Sequence, residues 1–166
     1  MSEYPHEDVA ALNAFYGDPR GANGRPNPHW EADNIVLWTP PYPMFYTDGA
    51  HTPLHHLRVH KKVRDVFDAA YLEVLKTLGL DYIAKHRLNL SAGAYDYRIE
   101  RGGSRLSVHS WGCAIDMDPA HNLFPHRWNP AIGLDQKFVA ILKKHGFHWR
   151  GDNGDIDPMH LQLCVH

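Results

Sequence analysis

The sequence predicts a single α+β domain, a small and mostly antiparallel sheet with flanking helices. Three observations predict it. Two segments carry apolar residues at steps of three and four, several shorter ones alternate or run apolar, and the two kinds are interleaved along the chain. No internal repeat or low-complexity linker divides the 166 residues, and 43% hydrophobic content is enough for one sizeable core. Residues 1–166 therefore read as one domain, with 1–60 as an N-terminal extension packed on a core formed by 61–166.

The elements follow in order. Residues 6–16 carry a short amphipathic pattern (Val9, Ala10, Leu12, Ala14, Phe15) that Gly17 ends, and residues 18–29, rich in Gly, Pro and Asn, read as loop. Ile35, Val36, Leu37 and Trp38 read as a strand, stopped by the prolines that follow. The clearest helix starts near His60: Val63, Val66, Phe67, Ala70, Val74, Leu75 and Leu78 fall on one face, and Gly79 closes it. Residues 88–90 and 94–98 read as strands, the second alternating. A second helix spans residues 134–145, with Phe138, Val139, Ile141 and Leu142 inward and Lys143, Lys144 and His145 at its negative end. Residues 160–165 form a closing strand. Trp30, Trp38 and Tyr46 read as packing residues, and so do Tyr95, Tyr97 and Trp111, with lining of a cleft as the alternative for these three.

Composition excludes several classes. Seventeen Lys+Arg against 19 Asp+Glu leave a formal charge of −2, so no basic surface points to nucleic acid. No stretch approaches the ~18 apolar residues of a membrane helix. The start, MSEYPHEDVA, has neither a basic region nor an apolar run, so a chain made in the cytoplasm without a signal peptide is expected. Cys113 and Cys164 are too few for a disulfide framework and read as buried thiols. Fourteen histidines invite a search for metal ligands, which only spacing and context can sort.

The informative stretch is residues 107–116, SVHSWGCAID. On a helix, His109 and Asp116 would lie roughly 10 Å apart along the axis. On a straight strand they would face opposite sides, over about 20 Å apart. Either is too far for one ion held at bonds of about 2 Å, so a shared metal requires a bent strand, with Gly112 where the bend would go. The tail supplies a third candidate. Alternation puts His160 and Gln162 on one face and Leu161 and Leu163 on the other. Two histidines and one carboxylate form a common catalytic zinc set with a further position for water, and such an ion acidifies water and polarises a carbonyl. A carboxylate base is still needed. Asp157, three residues before His160, is the candidate, and Asp155 the second choice.

These residues resemble a known family. SVHSWGCAIDMDP is similar to the Ser-x-His-x-x-Gly-x-Ala-x-Asp motif of the zinc D-alanyl-D-alanine peptidases, a group that includes phage L-alanyl-D-glutamate endolysins, carboxypeptidases and the D-Ala-D-Ala dipeptidases of vancomycin resistance. DPMHLQ resembles the family's closing acid-x-x-His element, and GAYDYRIERGGSRL looks like the run that leads into the first motif. The resemblance covers roughly residues 90–163 and implies a hedgehog/D,D-peptidase-like fold with 61–166 as the catalytic zinc peptidase core. It also implies one zinc ion on His109, Asp116 and His160, with Asp157 as base where many members carry Glu. Arg98 would grip a substrate carboxylate or the polarised carbonyl, with Arg101 and Arg105 as alternatives. Ser107 would bind substrate or brace the site.

The activity so implied is zinc-dependent hydrolysis of a peptide bond in peptidoglycan stem peptides, of the endolysin type between L-alanine and D-glutamate, by a monomer. Two alternatives stand beside it: a D,D-carboxypeptidase or D-Ala-D-Ala dipeptidase, and a zinc-binding module without catalysis. No nucleic acid and no membrane insertion are expected.

Overall fold

The computed structural model describes residues 4–166. The expectation about the chain's start rests partly on residues 1–3, which lie outside the described residues. Among the described residues, no helix is long and apolar enough to cross a membrane.

The architecture is α+β. Helix α1 (Val9–Tyr16) is capped by Asp8, whose side chain accepts from Ala11 N. Helix α2 (Pro28–Asn34) starts behind the Asn27 cap with proline in its first turn, where a missing N–H costs nothing. Strands β1 (Ile35–Trp38), β2 (Met44–Tyr46), β3 (Pro53–Leu54) and β4 (Leu57–His60) follow, then α3 (Arg64–Leu78), α4 (Leu80–Lys85) and β5 (Leu90–Gly93). A 3-10 turn (Val108–Trp111) leads into β6 (Ala114–Met117), and α5 (Gln136–Lys144), β7 (His148–Trp149) and β8 (His160–Gln162) complete the chain. Strands β1 and β4 pair as a separate antiparallel ribbon, and the main sheet has the order β3-β2-β5-β6-β8-β7. Its pairs are antiparallel except β2–β5.

The core lies between this sheet and α3 and α5. Phe67, Ala70, Tyr71 and Val74 of α3 and Phe138, Val139 and Leu142 of α5 are buried, at the three-and-four spacing read from the sequence. Trp38 packs edge-on against Phe67 and Tyr71, and the Tyr71 hydroxyl meets Met117 Sδ of β6 at 3.3 Å. Every residue of β6 is buried. Ile115 and Met117 therefore fill the helix side, while Asp116 stands on the opposite face of this central strand. The Cys113 and Cys164 side chains are both buried.

Several boundaries differ from expectation, each for a tertiary reason. His60 does not begin the long helix. It ends β4, opposite Ile35, with its N–H donating to Gly112 O at 2.8 Å. Residues 94–98 alternate but join no ladder: Tyr95 N donates to Arg58 O and Asp96 N to His109 O, so this backbone braces the turn that carries His109. The strand expected at 88–90 runs Leu90–Gly93, and the closing strand stops at Gln162. The stretch at 18–29 is not all loop, since a 3-10 turn covers Ala22–Gly24 and α2 begins at Pro28.

Candidate metal centre

His109, Asp116 and His160 come together. Asp116 sits opposite His160 across the β6–β8 pair, so the sheet register alone brings these two side chains to one face. His109 arrives differently from the expected bent strand. It lies in the 3-10 turn, and the chain then reverses at Gly112, which has a φ of +70°. That left-handed conformation favours glycine, and a Cβ there would stand 2.8 Å from His60 N. The turn and the glycine together fold seven residues of separation into direct contact.

The ligand-atom distances are His109 Nε2 to His160 Nδ1 3.1 Å, His160 Nδ1 to Asp116 Oδ1 3.0 Å, and His109 Nε2 to Asp116 Oδ1 3.2 Å. Donors at ~2.0–2.1 Å from a tetrahedral ion stand about 3.3 Å apart, so the spacing fits one ion. Protonation fits as well. His109 Nδ1 lies 2.6 Å from Ala94 O, an atom that only accepts, so Nδ1 carries the proton and Nε2 turns a lone pair inward. His160 Nε2 is 2.8 Å from Gln162 Oε1, which assigns its proton outward and leaves Nδ1 bare. With both imidazoles neutral, three buried acceptors thus face one another, an arrangement that could hold a metal ion. Burial alone would push the Asp116 carboxyl up, but His109 and His160 hold it well below the ordinary carboxylate range. Burial alone would push His160 down, and Asp116 raises it. Both shifts arise when an imidazole carries a proton toward the carboxylate, so the cluster draws in positive charge, as a proton or as an ion.

The remaining candidates surround a cleft of about 270 Å³ lined by Arg98, Ser107, His109, Asp116, Asp157 and His160, among others. Asp157 precedes Pro158 in a turn closed by His160 N to Asp157 O at 3.0 Å, and its own N–H donates to Arg150 O at 3.3 Å. Burial, with Asp116 nearby, raises its pKa despite His160 and Arg150. Asp155 is tied by its carboxylate to Arg150 Nε and Ile156 N, which leaves Asp157 the freer carboxylate. Ser107 is buried and starts the 3-10 turn, donating its N–H to Arg98 O at 2.9 Å.

Arg98 pairs with Asp96 at 3.0 Å. It stands, with Arg101, His109 and Asp116, where the first cleft meets a second one of about 520 Å³. Tyr46, Arg58 and Tyr95 line that second cleft. Arg105 instead pairs with Glu100. Trp111 is fully buried, its indole N–H shared by Asn13 Oδ1 and Gly17 O, and Trp30 and Trp38 are likewise buried. Tyr46 and Tyr95 are half-buried cleft residues, which goes beyond the packing role read for Tyr46 and matches the alternative read for Tyr95.

Residues 101–163 match the family model described as D-alanyl-D-alanine carboxypeptidase. The match supports a metallopeptidase-type hydrolase acting on peptidoglycan peptides. It covers well under half of the chain, spanning Ser107, His109, Asp116, Asp157 and His160 and stopping short of Arg98. No curated protein and no solved structure matches the chain.

Sequence reasoning missed two residues at this site. Gln162 showed only as the polar neighbour of His160 on an alternating strand. Glu7, which lines the first cleft from the N-terminal segment, left no signal, because nothing local to it marks the cleft more than 100 residues away.

Proposed function

We propose that this chain is a zinc-dependent peptidase that cuts peptidoglycan stem peptides internally, between L-alanine and D-glutamate as endolysin-type enzymes do, with residues 1–166 as one catalytic unit. The observation that carries the reading is the inward-facing set of His109, Asp116 and His160, with Asp157 lining the same cleft. The mixed imidazole and carboxylate donors suit zinc. When bound, such an ion supplies a Lewis acid and lowers the pKa of water.

The protein's own groups do the rest. Asp157 takes a proton from the attacking water and returns it to the leaving amine, a task that suits a carboxylate whose pKa burial has raised. Arg98, at the junction of the two clefts, presents a planar donor fork to a carboxylate or to the carbonyl under attack. Ser107 braces the turn that delivers His109.

Internal cleavage is favoured by the two clefts, which share Arg98, Arg101, His109 and Asp116 and so offer more room than a terminal residue needs. The family description favours a second reading, removal of a terminal D-alanine. Mass spectrometry of muropeptides incubated with zinc-loaded protein, with and without chelator, decides. A new N-terminal D-glutamate supports the first reading and free D-alanine the second. Zinc binding with no product would leave a module without catalysis.

A further inference from the structure

The N-terminal segment reaches the ligand cluster through a chain of hydrogen bonds. Glu7 is clasped beside the C-terminal strand, its N–H donating to Val165 O at 2.7 Å. Its Oε2 lies 2.8 Å from Gln162 Nε2, which is also 3.3 Å from Cys164 O. Gln162 Oε1 is in turn 2.8 Å from His160 Nε2.

The direction of this chain is fixed at the Glu7 end. A carboxylate and a backbone carbonyl only accept, so the amide nitrogen of Gln162 must face Glu7 and Cys164, and its oxygen must face His160. His160 Nε2 then carries the proton. Against this stands Asp116 Oδ1, 3.0 Å from Nδ1, which would welcome a proton on the nitrogen that an ion needs. Glu7 is suited to decide the matter. Burial favours its neutral form, but the Gln162 amide, Arg150 and His166 hold its pKa below the ordinary value. Arg150 Nη1 and His166 Nδ1 lie 3.1 and 3.0 Å from it.

We propose that Glu7 is a positioning residue: acting through Gln162, it holds His160 in the tautomer that offers Nδ1 to a metal ion. The proposal rests on the metal-site reading above. Partners of this kind orient a ligand through its second nitrogen, and their loss costs about 10–100-fold in metal affinity.

Glu7→Gln tests it, because an amide of the same size can donate as well as accept and leaves only the longer contact to Cys164 O, at 3.3 Å, to fix the direction of Gln162. In metal-free protein at alkaline pH, where the imidazoles are neutral, nitrogen NMR should show His160 protonated at Nε2 in the wild type and shifted toward Nδ1 in Glu7→Gln. Zinc affinity, from competition with a chromophoric chelator, should fall about 10–100-fold. In a Gln162→Leu background the same change at Glu7 should have no further effect, because the path is already cut. Arg150→Met, which removes the ion pair and spares the Gln162 contact, should keep the Nε2 tautomer. An unchanged tautomer in Glu7→Gln would overturn the proposal, as would an equal loss of zinc affinity with and without Gln162. Because the tautomer is read without metal, a wild type that binds no zinc would end the metal-site reading and leave control of His160 by Glu7 to be judged separately.

Discussion

Asp116 faces His109 and His160 from β6, and two residues later Asp118 faces Arg87 and His121. Both carboxylates are buried, and both have imidazole for company. Asp118 accepts from Arg87 Nε at 2.7 Å and lies 2.9 Å from His121 Nδ1, while the same guanidinium also donates to Ile132 O. Here a permanent cation meets the carboxylate, and the site is complete. At Asp116 the neighbouring ring nitrogens have their protons assigned elsewhere, to Ala94 O and Gln162 Oε1. A histidine beside an aspartate therefore marks a metal site only when second partners have already taken the imidazole protons.

The largest effect is expected at His109. His109→Ala should lower zinc affinity beyond the ~100-fold that an outer partner can cost and abolish muropeptide hydrolysis, measured by chelator competition and mass spectrometry. Retained affinity would put the ion elsewhere. Asp157→Asn should cut kcat by about 10²–10⁴-fold, the range for a lost general base, with zinc affinity preserved. A matching loss of affinity would make Asp157 a ligand instead. Arg98→Ala should reduce kcat/KM by about 10–100-fold, as expected for a lost hydrogen bond to a charged group.

At the other cluster, Arg87→Met should destabilise the fold by about 1–3 kcal/mol, since it removes the cation from buried Asp118. Urea unfolding would read this, while zinc affinity stays that of the wild type. A shift in zinc affinity would mean that the two clusters are not independent.

The smallest effect concerns stability without metal. The Asp157 pKa is raised in the folded protein above the ordinary 3.8. As pH climbs past that value the unfolded chain releases the proton first, so this residue's contribution turns progressively unfavourable until the folded carboxyl also ionises. Metal-free Asp157→Asn should therefore melt higher than wild type at neutral pH and show no such gain below the ordinary carboxylate value. A lower melting temperature at neutral pH would contradict the assigned environment.

Much of this was legible locally. The face of α3 from Phe67 to Val74, the buried face of α5 from Phe138 to Leu142 and the alternation of His160, Leu161 and Gln162 all follow from spacing, because burial on one side imposes the period of the element. His109, Asp116 and His160 were legible as a set through the family resemblance, since their spacing alone only allowed a shared ion if the chain bent near Gly112. Residues 94–98 misled: alternation describes one exposed and one buried side but does not say which backbone will pair, and here His109 and Arg58 claimed it. His60 misled in the same way, since the apolar rhythm of α3 runs back into a strand that only β1 could define.

Sequence alone set the types of the longest elements, their core faces and the chemistry on offer. Tertiary structure decided which nitrogen of each histidine points inward, which acid stays free, and that Glu7 reaches the cleft at all. The reason is physical. Periodicity is a property of neighbours along the chain, whereas protonation and access depend on atoms that folding brings in from elsewhere: Ala94 O for His109, Arg150 for Asp155, and Gln162 with the N-terminal segment for His160.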